Sequence, residues 1–148
     1  MTDESKDNPS STAELTTGQS KKILVIEEVE DEKSLRDVLH DSFSLEGFSV
    51  LEAKDGEEGL ATALSEHPDI ILLDIVLPKM DGLTMMKKLR EANEWGKHVP
   101  IILLTNLSAD DDKINQAIAE NEPAYYLVKS NYTMSDLVEK IRERLSRQ

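Results

Sequence analysis

Apolar positions along this chain fall into two patterns. Four short runs are apolar throughout: Ile23-Leu24-Val25-Ile26, Ile70-Ile71-Leu72-Leu73, Ile101-Ile102-Leu103-Leu104 and Tyr125-Tyr126-Leu127-Val128. Runs of this length without a polar interruption read as strands buried on both faces, as in a parallel sheet. Longer amphipathic segments separate them. From Asp31 to Leu45, Leu35, Val38, Leu39 and Phe43 recur at helical spacing, and Gly47 terminates the segment. Phe48 to Ala53 reads as a further strand. Asp55-Gly56-Glu57-Glu58 resembles a capping box opening a second helix, with Leu60 and Leu64 inward and Pro68 beyond its end. A third helix is predicted from Leu83 to about Ala92, and Val99-Pro100 leads into the next strand. Trp95, beside Gly96, then falls in the intervening loop as a packed residue. Ser108 is predicted to cap the fourth helix, whose first turn holds Asp110, Asp111 and Asp112. Such a run complements the helix dipole and is not read as a metal cluster. Thr133-x-x-Asp136 opens the last helix, with Leu137, Ile141 and Leu145 on its inner face.

Strand and helix thus alternate five times with short connections, which gives right-handed crossovers and an α/β fold with a doubly wound sheet. A flavodoxin-like (βα)5 sandwich is predicted, its parallel five-stranded sheet in the order 2-1-3-4-5. That order sets the four strands with polar ends side by side and puts the second strand on an edge. Residues 1–20 are rich in Ser, Thr, Asp and Glu, with Leu15 the only sizeable apolar residue after Met1. Such a segment cannot bury enough surface to offset its ordering entropy, so a disordered tail is expected, with the domain at residues 21–148. Because the chain stops after the fifth helix, a stand-alone domain without an output domain is expected.

Composition narrows this picture in a few respects. The length of 148 residues suits one domain with a proper core. The absence of Cys excludes disulfides and thiol chemistry. No run approaches the ~20 apolar residues of a membrane span, and the N-terminus lacks a signal-peptide pattern. A cytoplasmic location is therefore expected. A net charge of −13 argues against direct binding to nucleic acid or to an anionic membrane.

The chemistry lies where the strands stop. The first apolar run ends at Glu27 and Glu28, the second at Asp74, the third at Thr105 and the fourth at Lys129. Carboxyl ends of the strands of an open α/β sheet share one edge, where ligands bind. Three carboxylates meeting there repel one another strongly and call for a counter-charge. All-oxygen ligation by few protein groups suits Mg²⁺ or Mn²⁺, ions that keep several waters and bridge to phosphate. With Lys129 as a fixed positive charge and Thr105 as a hydroxyl donor, Asp74 is equipped as the nucleophile that accepts a phosphoryl group. The histidines His40, His67 and His98 have no metal-ligating partner at helical spacing, and no chemistry is assigned to them.

From about Lys22 to its C-terminus the chain resembles the receiver domains of two-component response regulators. The most specific match is Asp74-Ile-Val-Leu-Pro78-Lys-Met80-Asp81-Gly82, which corresponds to the phospho-acceptor loop of that family. Supporting matches are the acidic pair Glu27-Glu28, Thr105, Lys129 and, more weakly, Ala53-x-Asp55-Gly56. Tyr126 falls at the switch aromatic of the family. The resemblance implies that a histidine kinase or phosphotransfer protein, or a small phosphodonor, phosphorylates Asp74. It implies Mg²⁺ held by Glu28, Asp74 and the backbone carbonyl of Val76, and by Glu27 through water, with Lys129 and Thr105 on the phosphoryl oxygens. Thr105 and Tyr126 would then shift together and remodel the face built from the fourth helix, fifth strand and fifth helix, a two-state element biased by a local charge. Signalling would follow through contacts with a downstream protein, and a homodimer, if one forms, would use that same face. The domain would catalyse only its own phosphorylation and slow dephosphorylation, and is not otherwise an enzyme.

Three departures from the family carry expectations. Its acidic pair is usually Asp-Asp or Glu-Asp, and the extra methylene of Glu28 is expected to weaken or shift Mg²⁺ binding. Its lysine is followed by proline across a cis bond, whereas Ser130 follows here, so a trans bond and a re-routed loop are expected. Asn106 replaces a small residue, and Val76 and Leu107 are apolar where an attacking water would be oriented, which implies a phospho-Asp74 lasting hours. Two alternatives stand beside the phosphorylatable receiver. One is a degenerate receiver acting as a phosphorylation-independent binding module. The other is an aspartyl-phosphate hydrolase, disfavoured because Val76 occupies the place of its second aspartate.

Overall fold

The computed structural model describes residues 21–27, 35–45, 47–105, 112–123, 125–128 and 133–146. The expected tail at residues 1–20, the start of the first helix at Asp31, Glu28, Asn106, Leu107, Ser108, Asp110, Asp111, Lys129 and the Lys129–Ser130 bond lie outside the described residues.

Five strands and six helices occur among the described residues: β1 (Lys22–Ile26), α1 (Leu35–Ser44), β2 (Ser49–Ala53), α2 (Gly56–Glu66), β3 (Ile70–Asp74), α3 (Gly82–Ala92), α4 (Glu94–His98), β4 (Ile101–Thr105), α5 (Asp112–Asn121), β5 (Tyr125–Val128) and α6 (Met134–Leu145). The strands form one parallel sheet in the expected order β2-β1-β3-β4-β5.

Both faces of the sheet are dry, which is why its central strands are apolar without alternation. Leu24, Ile26, Ile71, Leu73, Ile101 and Leu103 pack on one face with Ala63 of α2, Met85, Met86 and Leu89 of α3, and Ile114 of α5. Ile23, Val25, Ile70, Leu72, Ile102 and Leu104 pack on the other with Phe43 of α1 and Leu137, Ile141 and Leu145 of α6. The Thr133–Asp136 capping box is complete, with the Thr133 side chain accepting from the Asp136 N–H and Asp136 accepting from the Thr133 N–H. At the start of α2 the box is offset: Asp55 accepts from the Glu58 N–H, but Glu58 reaches back to the N–H of Lys54.

One expectation is corrected. The segment between the third helix and β4 is not simply a loop but carries the short helix α4, and Trp95 lies within it. Asn93 ends α3 in an extended conformation and its side chain at once accepts from the Gly96 N–H at 2.7 Å, so one residue stops one helix and caps the next. Trp95 is half-buried against the core, and its ring stacks on His67 with centroids 4.2 Å apart. The helices predicted as fourth and fifth are therefore α5 and α6.

Candidate functional site at the carboxyl edge of the sheet

Parallel pairing determines which strand ends meet. Ile26 pairs with Leu73, so Glu27 and Asp74 each lie one residue beyond that pair on adjacent strands. Asp74 pairs with Leu104, which places Thr105 one residue further along the same edge. All three are buried polar groups: Glu27 is 7% exposed, Asp74 8% and Thr105 0%. Solvating water is largely excluded, and polar side chains are kept in such positions only with partners or a function.

The loop after β3 shapes the Asp74 carboxylate. Its Oδ1 accepts from the Val76 N–H at 3.1 Å, a turn in which the side chain engages the backbone two residues on. Gly82 donates to the Ile75 carbonyl at 2.8 Å, closing the loop. A Cβ at Gly82 would collide with the Asp74 carbonyl oxygen, so only glycine lets α3 start this close to the acid. Val76 itself is exposed beside the carboxylate.

Two contributors to this edge were not assigned a site role from the sequence. Lys79 adopts a left-handed backbone, φ 66°, and its Nζ lies 3.9 Å from Oδ2 of buried Asp55. Gly56 packs so tightly on Met80 that a Cβ would overlap the Met80 carbonyl oxygen. The β2–α2 turn thus braces the loop that carries Val76. The Asp55-Gly56 pair was the available signal, since an acid followed by glycine marks a capped helix start, but its contact with the loop is tertiary.

Tyr126 pairs with Leu103 and packs on the core face that includes Ile114, its hydroxyl oxygen shielded from solvent. Glu27, Asp74 and Thr105 therefore lie along one edge of the sheet, and Tyr126 lies on β5 in register with Leu103 of β4. Among the described residues no three acidic or imidazole side chains form a metal-binding group. The donors that are described, two buried carboxylates at neighbouring strand ends and a peptide loop beside them, are all hard oxygen groups suited to a Mg²⁺-like ion. A cavity of about 500 Å³ lined by Pro68, Asp69, Trp95, His98, Pro100 and Arg144 lies at the opposite edge, before β3 and β4, and does not belong to this site. Among the described residues no helix is long and apolar enough to cross a membrane.

Fold and edge together define a doubly wound α/β sandwich of the flavodoxin-like type with acids buried at its carboxyl end. Residues 24–142 match the response regulator receiver domain, and the chain belongs to that family. The probable transcriptional regulator ycf27 of Porphyridium aerugineum is 39% identical over 129 residues, covering 87% of this chain and 50% of that protein. The chain spans about half the length of the first relatives it matches. The CheY-like receiver domain protein of Methanospirillum hungatei superposes with a TM-score of 0.74 at 26% identity, covering 87% of this chain and 96% of that one. The receiver domain of the sensor histidine kinase PA1611 from Pseudomonas aeruginosa, solved with a magnesium ion coordinated in its active site cleft, gives a TM-score of 0.71 at 25% identity, covering 86% of this chain and 99% of that one.

Proposed function

We propose that this receiver accepts a phosphoryl group on Asp74 from a histidine kinase or phosphotransfer protein and signals through protein contacts from the cytoplasm. The observation that carries the reading is the Asp74 carboxylate itself. It is buried at the sheet edge, oriented by the Val76 N–H and flanked by Glu27 and Thr105. In the reaction an Asp74 oxygen forms a bond to phosphorus, and the bond from phosphorus to the donor's nitrogen or oxygen breaks with its electron pair leaving on the donor. Thr105 and Lys129 would hold the phosphoryl oxygens, the hydroxyl as a donor and the ammonium as a fixed charge. Glu28, Asp74 and the Val76 carbonyl would hold Mg²⁺, with Glu27 reaching it through water; Mn²⁺ would suit the same oxygen donors. When bound, the ion supplies positive charge that offsets both the crowded carboxylates and the phosphoryl oxygens. The magnesium in the PA1611 receiver domain supports this assignment.

Movement of Thr105 toward the phosphoryl group, with Tyr126 following, would remodel the face formed by α5, β5 and α6. The net charge of −13 supports a protein rather than nucleic acid as the partner of this domain, and a homodimer would use the same face. The Glu27-Glu28 pair favours one second reading, a degenerate receiver that binds partners without phosphorylation.

Incubation with Mg²⁺ and acetyl phosphate, followed by intact-mass measurement, separates the two. The expected outcome is the gain of one phosphoryl group that is absent in Asp74→Asn. No adduct, together with no binding of beryllofluoride, would overturn this reading and favour the second.

A further inference from the structure

Arg90, in the last turn of α3, lies away from the acidic edge and makes an unusual set of contacts. Its Nε donates to the Asn121 carbonyl at 2.8 Å and its Nη2 to the Glu122 carbonyl at 3.2 Å. Its Nη1 donates to the carbonyls of Gly96 at 2.9 Å and Val99 at 2.7 Å. The acceptors belong to the C-terminal ends of two helices, α5 and α4, where carbonyls lose their partners within the helix. A planar guanidinium can engage such a set at once, whereas an ammonium concentrates its donors at one point.

The contacts fall at the entrances to two strands. β4 begins at Ile101, just after Val99, and ends at Thr105; β5 begins at Tyr125, just after Glu122, and carries Tyr126 next. Glu122 has φ 44°, a left-handed conformation that costs a side-chain-bearing residue energy, and its N–H closes the end of α5 on the Ile118 carbonyl at 3.0 Å. Asn121 is buried and its Nδ2 donates to the Ala117 carbonyl at 3.1 Å, which tightens the same turn. Burial draws the Arg90 pKa below its ordinary value while nearby Glu122 pulls it back up, and the guanidinium stays charged throughout the physiological range.

We infer that Arg90 is a positioning residue of the switch. It fixes the entrances of β4 and β5 together and makes the C-terminal end of α5 the stationary end about which the α5–β5–α6 face rearranges. This rests on the proposed phosphorylation of Asp74. Strands are nearly inextensible, so holding both at one end sets where Thr105 and Tyr126 lie relative to each other, as the Leu103–Tyr126 register records. Rearrangement behind Thr105 then acts on the N-terminal end of α5 and stops at the end that Arg90 holds.

Hydrogen exchange followed by mass spectrometry tests this on the full chain and on Arg90→Gln and Arg90→Lys, each with and without beryllofluoride and Mg²⁺. In the unmodified protein, beryllofluoride is expected to change exchange in the N-terminal half of α5 and leave residues 118–122 unchanged. In both variants, residues 118–122 should exchange roughly tenfold faster without ligand, and the beryllofluoride response should spread into them. Phosphoryl uptake from acetyl phosphate should stay within about twofold, because Asp74 and Glu27 stand on β3 and just past β1, away from these contacts. Adding Glu122→Gly to Arg90→Gln should recover part of the protection, since glycine removes the left-handed strain. Two results would overturn the inference: equal exchange at 118–122 with and without Arg90, or a beryllofluoride response that already runs through that segment in the unmodified protein. If the unmodified protein takes neither phosphoryl group nor beryllofluoride, the proposed function fails, while the ligand-free comparison still decides whether Arg90 is the anchor. Should Arg90→Gln not fold, Arg90→Lys supplies that comparison.

Discussion

At Glu28 a single methylene separates this chain from the aspartate usual in the family. In the proposed metal role the longer side chain would carry its carboxylate further from the backbone and add a rotatable bond, and Mg²⁺ accepts little departure from octahedral geometry. Larger, softer-geometry ions such as Ca²⁺ tolerate that displacement better. Glu28→Asp is therefore expected to tighten Mg²⁺ binding by about threefold or more while changing Ca²⁺ binding less. Calorimetric titration of both ions into both proteins decides the matter, and an unchanged ratio of affinities would remove the methylene from the explanation. The neighbouring acid differs in kind. Glu27 is buried and its backbone N–H donates to the Ala53 carbonyl at 3.0 Å, so its place is held by the sheet.

Among the elements, those that were legible in the sequence are those whose burial is repeated along the chain. β3 and β4 are apolar at every interior position because both faces are covered, and α6 declares itself through Leu137, Ile141 and Leu145 together with its capping box. The five-residue α4 was not legible, since one turn and a half shows no periodicity and Asn93 serves as a signal both for ending and for starting a helix. At the candidate site, Asp74, Thr105 and Glu27 were legible because strand ends in a parallel sheet share an edge. The bracing of the Val76 loop by Asp55, Gly56 and Lys79 was not, because it joins segments more than about twenty residues apart through tertiary contacts, an ion pair and close packing, that no local pattern signals. That brace makes a prediction at the scale of two turns. Gly56→Ala must push the Met80 carbonyl away, and overpacking of this kind costs about 1–3 kcal/mol. Urea unfolding should report that loss, and Mg²⁺ affinity should fall with it because the Val76 carbonyl belongs to the displaced loop. Alanine at exposed Glu57, one residue on, should alter neither by more than about 0.5 kcal/mol.

Over the whole molecule, the proposed function predicts that the sheet edge trades stability for phosphoryl acceptance. A chain of net charge −13 adds carboxylates at one dry edge to its general self-repulsion, and folding must bring them together. Removing one negative charge from that edge should stabilise the metal-free protein even though it removes the proposed nucleophile. Asp74→Asn keeps the shape and the oxygen that accepts from Val76. It is expected to raise stability by about 1 kcal/mol without Mg²⁺, which for a domain of this size is a Tm increase of roughly 3–6 °C. Mg²⁺ should act in the opposite sense on the difference. It stabilises only the form that binds it, by about 1.4 kcal/mol at ten times its dissociation constant, so the unmodified protein should approach the variant as the ion is added. Thermal melts at constant ionic strength separate this site-specific effect from general screening, which lifts both proteins alike. A metal-free Asp74→Asn protein no more stable than the original would mean that the edge carboxylates are already neutralised by their surroundings. An Asp74→Asn melt that gains as much from Mg²⁺ as the original would place the ion away from Asp74.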